Sequence, residues 1–181
     1  MDWLSRIVVF GSLGCLALQM VRFGRRAGCN PLGRPPIARP LFLMAKLAAA
    51  LSLILLMATA ARGGRELPVV GWVAFLLLMI AGVVLFSLAF RGLGSSLRMG
   101  LPEEKTALVT SGVFAVSRNP LYLSLYLVMG ASLIFAFSWV NAAAVAITVL
   151  LHHRIILAEE KFLEENFPGF VEYRRKVRRY L

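Results

Sequence analysis

The stretch PVVGWVAFLLLMIAGVVLFSLAF, from Pro68 to Phe90, carries no charged side chain. A helix of about 20 apolar residues crosses the hydrocarbon core of a bilayer. A soluble fold would have to bury such a helix on every face. Four further stretches have similar character. They are Trp3 to Val21, with Arg6 near its outer end; Leu41 to Ala61, with Lys46 one turn inside its start; Pro120 to Phe137, which is short; and Val140 to Leu157. The last two are separated only by a polar interruption at Ser138, so they form a helical hairpin. The expected fold is all-α, a polytopic integral membrane protein with five transmembrane helices and a C-terminal amphipathic helical tail. Only 16% of the residues are charged and the mean hydropathy is +0.77, both extreme for a soluble domain.

The basic residues test that count. One loop holds Arg22, Arg25, Arg26, Arg34 and Arg39; a second holds Arg91, Arg98, Lys105 and Arg118. The tail holds Lys161, Arg174, Arg175, Lys176, Arg178 and Arg179. Five spans put all three regions on one side of the membrane, whereas four would divide them. The excess of Lys and Arg marks the cytoplasmic side. The expected topology is therefore an inner-membrane protein with its N-terminus outside and its C-terminus in the cytoplasm. The formal net charge of +11 is spent on topology and lipid headgroups. No nucleic-acid-binding signature accompanies it, and no nucleic-acid partner is expected. The N-terminus reads as a retained span, because Asp2 stands where a signal peptide has a basic start. Cys15 and Cys29 form neither a CxxC motif nor a disulfide framework. Residues 1–90 read as an N-terminal three-span region. Residues 91–181 read as loop, hairpin and cytoplasmic tail, the two parts forming one integrated domain.

Polar chemistry gathers in the second part, in three places. In Leu108-Val-Thr-Ser-Gly-Val-Phe114, Gly112 permits a positive φ and close approach to the backbone. An ordinary surface turn has the same signature. In Ser117-Arg-Asn-Pro-Leu-Tyr122, Pro120 suits the first position of a helix, and Asn119 falls where an N-cap belongs. Arg118 lies at headgroup level, and Tyr122 and Tyr126 share a face. The plainer reading is a capped helix with a snorkelling arginine and an aromatic belt. In His152-His-Arg-Ile-Ile-Leu-Ala-Glu-Glu160, adjacent carboxylates point about 100° apart on a helix, so one turns toward the bundle. No HExxH or Cys/His spacing appears, and no metal site is expected. Beyond the acids, apolar residues from Phe162 to Val177 recur at three- and four-residue steps, broken at Pro168-Gly169. Such a helix pair can lie on an anionic membrane surface or cap a cavity open to the cytoplasm.

The order LVTSGVFAVSRNPLY, a short apolar hairpin, then AEEKFLEENFPGFVEYRRKVRR resembles the isoprenylcysteine carboxyl methyltransferase and phospholipid methyltransferase superfamily. The likeness covers Arg91 to Leu181. It implies a membrane enzyme using S-adenosyl-L-methionine, with S-adenosyl-L-homocysteine as product, a lipid bilayer environment and a lipophilic methyl acceptor. It places Arg118, Asn119, Pro120, Tyr122, Glu159 and Glu160 in the cofactor site, with Leu108, Val109, Gly112 and Phe114 from the preceding turn. It gives Arg154 and Tyr122 catalytic positions, Arg154 serving toward the substrate or the cofactor carboxylate. Two positions depart from the family pattern. Asn119 stands where relatives carry His, which preserves hydrogen bonding but not protonation. Phe114 stands where they often carry Tyr. The acceptor remains open between a prenylated cysteine carboxylate, a phospholipid amine, a thiol or another hydrophobic metabolite. A non-catalytic membrane protein that kept the fold is the alternative.

Overall fold

A computed structural model of the chain describes residues 2–26, 34–94, 101 and 107–181. Cys29, Arg98 and Lys105, together with most of the turn-rich connector after Cys29, lie outside the described residues. The helices are α1 (Asp2–Arg26), α2 (Arg39–Ala61), α3 (Val69–Leu93), α4 (Pro120–Phe135), α5 (Trp139–Asn166) and α6 (Phe170–Lys176). A short 3-10 turn occupies Gly112–Ala115. Four helices, α1, α2, α3 and α5, are long and apolar enough to cross a membrane, and α4 is a shorter apolar helix. The fold is all-α and polytopic, as expected. Many large apolar side chains face outward, among them Leu47, Leu77, Ile80 and Leu150, as suits lipid contact.

Neighbours in sequence are not the principal neighbours in space. The α4–α5 hairpin is present, with Ser138 Oγ accepting the Asn141 amide at 3.1 Å to cap α5. Yet α4 packs most extensively on α3, and α5 on α2. Gly82 makes the α3–α4 contact possible. A Cβ there would lie 2.8 Å from Val128 Cγ2 and 3.1 Å from the Ser124 carbonyl oxygen. Toward the opposite end, Phe75 stacks on Phe135 with ring centroids 4.7 Å apart, and Trp72 meets both edge-on. A buried polar knot ties α2, α4 and α5. Ser52 donates to Asn141 Oδ1 at 2.7 Å and lies 2.9 Å from Ser132 Oγ, while Asn141 Nδ2 donates to the carbonyls of Ser132 and Ala136. In a low-dielectric interior each of these groups needs a partner, so the knot sets the register of the three helices.

The ends of α5 and the tail position the polar end of the bundle. α5 continues beyond its expected apolar limit at Leu157 to Asn166, carrying Glu159 and Glu160 on an unbroken helix. Pro168-Gly169 then breaks the chain, as expected, and α6 folds back. Behind α6 the tail pairs with the entry to α4. Ser117 and Arg178 form a parallel bridge, and the Arg118 amide donates to the Arg178 carbonyl at 3.0 Å.

Candidate functional site

One large cavity, of about 850 Å³, opens between α1, α2, α3, α4 and α5 at the tail end of the bundle. Its polar end is lined by Arg118, Asn119, Tyr122, Glu159, Glu160 and Lys46. Leu108, Val109, Phe114 and Pro120 also line it. Two residues named from sequence are not brought there. Gly112 adopts φ 62° but is exposed and stands outside the cavity lining, with open space where a Cβ would be. Arg154 is likewise exposed and outside the lining. Helix periodicity explains this: Arg154 is two positions from His152, so it projects about 200° away from that cavity-lining side chain.

The adjacent glutamates have different surroundings. Glu160 is buried and saturated with donors. Arg118 reaches it with Nε at 3.2 Å and Nη2 at 3.1 Å, and Arg179 with Nε at 3.1 Å and Nη2 at 2.9 Å. Asn119 Nδ2 adds a bond to Oε1 at 3.1 Å. Glu159 is half-buried beside the cavity and accepts one side-chain bond, from Tyr122 Oη at 2.9 Å. An ionised carboxylate offers about four acceptor sites, so Glu159 retains capacity for a ligand and Glu160 has little.

Asn119 does not cap α4 with its side chain. Its amide instead donates to Glu160 and, at 3.3 Å, to the Arg179 carbonyl. The charged carboxylate is the stronger acceptor, and reaching it turns the side chain away from the helix end. Arg118 has a similar second task. Its Nη1 donates to the carbonyls of Val177 at 2.6 Å and Arg174 at 3.1 Å. Together with Glu160 it clamps the tail over the α4 entry.

The tail closes the cavity rather than lying apart from it. Phe170 and Tyr173 of α6 line the wall, and Tyr173 Oη donates to the Phe114 carbonyl at 2.6 Å. Burial, opposed by nearby Arg118, pushes the Tyr173 phenol up to about 12, so it stays a donor at neutral pH. The Glu160 hydrogen bond holds Arg179 above its ordinary value.

Arg179, Tyr173 and Lys46 were not singled out from sequence as site residues. Arg179 is one of several basic residues between Arg174 and Arg179, and nothing in their spacing distinguishes it. Lys46 did leave a signal, since a cation inside an apolar span is costly without a role. Its charged neighbour Glu159 stands on α5, so nothing within the second span pairs with it in sequence.

A family model for phospholipid methyltransferase matches residues 70–169, more than half of the chain. The chain belongs to the phospholipid methyltransferase family. The matched region contains the turn before α4, all of α4 and both glutamates. It ends before Tyr173 and Arg179 and begins after α2. A curated relative, the cobalt-zinc-cadmium resistance protein CzcN of Cupriavidus metallidurans, is 35% identical over 108 residues. That alignment takes in 59% of this chain and 49% of the relative, so the chain matches about half of that protein's length. Among the described residues, no group of three or more His, Cys, Asp or Glu side chains is placed to hold a metal ion.

The donor set fits S-adenosylmethionine. Glu159 retains free acceptor positions for an ammonium or ribose hydroxyl. Phe114, Phe170, Tyr122 and Tyr173 supply aromatic surface at the same end, where a cationic or planar group is favoured. The volume falls within the range of small-molecule sites.

Proposed function

We propose that the chain is an S-adenosylmethionine-dependent methyltransferase that modifies a lipophilic acceptor, with the cofactor entering from the cytoplasm and the acceptor from the bilayer. The observation that carries the reading is one cavity with two ends of opposite character. Glu159 and Tyr122 stand at its polar end, while Phe10, Leu13, Gly82 and Val128 line an apolar bore.

When bound, the cofactor supplies a methyl group on a positively charged sulfur. The protein's part is to bind, orient and exclude water. Glu159, held by Tyr122, would take the amino group or ribose hydroxyls. Arg118, Asn119 and Arg179 act through Glu160, fixing the α5 end and the tail around the site. The aromatic wall removes water, which favours loss of charge in the transition state when binding energy elsewhere offsets the ground-state cost. Alignment of donor and acceptor supplies further rate. Arg154 receives no role, since its side chain faces away from the cavity.

Calorimetric titration of S-adenosylhomocysteine into detergent-solubilised protein tests the proposal. Saturable binding is expected, weakened more than tenfold by Glu159→Gln. No binding by protein shown to be folded would sink the reading. Binding without turnover on a panel of lipid amines, prenyl thiols and amphiphilic carboxylates would favour a non-catalytic member of the family.

A further inference from the structure

Lys46 lies seven residues inside the Arg39 start of α2, roughly 10 Å along the helix. It lines the cavity and lies outside the region that the family model matches. Its Nζ folds back to within 4.9 Å of the Phe42 ring centroid. Among the described residues no hydrogen bond or ion pair reaches that ammonium. An unpaired cation at this depth is unfavourable unless something charged or polar arrives to meet it.

The neighbouring groups already have partners. Glu159 takes the Tyr122 hydroxyl, and Glu160 takes Arg118, Arg179 and Asn119. His152 Nδ1 bonds to the Thr148 carbonyl at 2.8 Å, so that nitrogen carries hydrogen. Lys46 and Glu159 influence each other electrostatically without touching. Among the described residues, the formal charges in the lining or paired to it are Lys46, Arg118 and Arg179 against Glu159 and Glu160, which leaves one positive charge over. A positively charged cofactor adds to that excess. Deeper than Lys46 the cavity is lined on α2 by Leu53 and Met57, the latter roughly 16 Å further along the helix, and across from them by Gly82 and Val128.

We propose that Lys46 is the anion receptor of the acceptor subsite, selecting an amphiphile with an anionic head group whose apolar chain runs along the bore lined by α1, by Leu53 and Met57 of α2, and by Gly82 and Val128 where α3 and α4 meet. This deepens the methyltransferase reading and rests on it for the word acceptor, while head-group recognition is measurable by itself. A cationic amine head would be repelled by Lys46.

The test compares oleate, oleyl alcohol and oleylamine, three probes with one chain and different heads. Binding is measured by native mass spectrometry in neutral detergent, alongside S-adenosylhomocysteine titration. Wild-type protein is expected to bind oleate at least tenfold more tightly than either other probe. Lys46→Met should bring oleate and oleyl alcohol within twofold of each other, and Lys46→Arg should keep the preference. Equal binding of oleate and oleyl alcohol by the wild type overturns the proposal, and needs no variant to fold. So does a preference that survives in folded Lys46→Met. A loss of S-adenosylhomocysteine affinity with the oleate preference intact also overturns it, because the ammonium then serves the cofactor's carboxylate. If oleate binding depends on Lys46 but S-adenosylhomocysteine does not bind at all, the methyltransferase reading fails and the anion receptor stands.

Discussion

At the residue scale, two neighbouring glutamates on one helix have different tasks because a step of about 100° gives them different partners. Glu160 pairs with two arginines in a nearly closed site, its side chain 7% exposed. Removing the charge from one member of such a cluster strands the others, at a cost of about 3 kcal/mol. Glu160→Gln is therefore expected to lower the melting temperature measured in detergent. Glu159→Gln should leave it close to the wild-type value while abolishing most S-adenosylhomocysteine affinity. The reverse pattern would exchange the two roles. Asn119 illustrates how a chemical pattern can be read while its use is not. The residue type pointed to a helix cap, and the side chain was drawn instead to a carboxylate forty-one positions away.

At the element scale, the tail behaves as a strap. It is held by the Arg118 amide, which donates to the Arg178 carbonyl, by Ser117 Oγ and Asn119 Nδ2, which donate to the Arg179 carbonyl, and by the Tyr173 hydroxyl, which donates to the Phe114 carbonyl. The phenol has a folded value of about 12, above its ordinary value of about 10. A neutral acid favoured by the fold contributes stability fully below pH 10 and loses that contribution as pH rises through 12. Tyrosinate absorbance should therefore titrate late in the native protein. Tyr173→Phe should lower the amplitude of that late titration by one of the four tyrosines and loosen the strap, seen as faster proteolysis after Arg174. The α3–α4 contact makes a different demand. Gly82→Leu places a side chain where even a Cβ is too close to Val128, so the helices must part; a melting temperature unchanged from wild type would contradict this packing. Within the bundle, Asn141→Leu leaves Ser52 and Ser132 without their shared partner. It should cost about 1–2 kcal/mol in a detergent unfolding titration.

For the whole molecule, the charge asymmetry predicts that cysteines introduced at the N-terminus and at Ser138 are labelled from outside intact cells, and one introduced in the tail only after permeabilisation. Labelling of all three from one side would contradict a five-span topology. Much of the architecture was legible because spanning a bilayer is a local requirement: apolar length, a Pro at the α4 start, a Ser at the α5 cap and a Pro-Gly break each act within a few residues. The grouping of Arg118, Asn119 and Tyr122 with Glu159 and Glu160 came from the family resemblance, and the hairpin gives its physical reason, since both stretches sit at the same end of it. The sequence by itself thus determined the apolar spans and the composition of the polar end, and it carries the charge bias on which the predicted orientation rests. Tertiary structure alone decided which glutamate is saturated, that Arg179 closes the clamp, that Arg154 faces away, and that Lys46 on a distant helix looks into the same cavity. Those outcomes depend on helix rotation and on contacts across tens of residues, and no local periodicity encodes which charge will meet which.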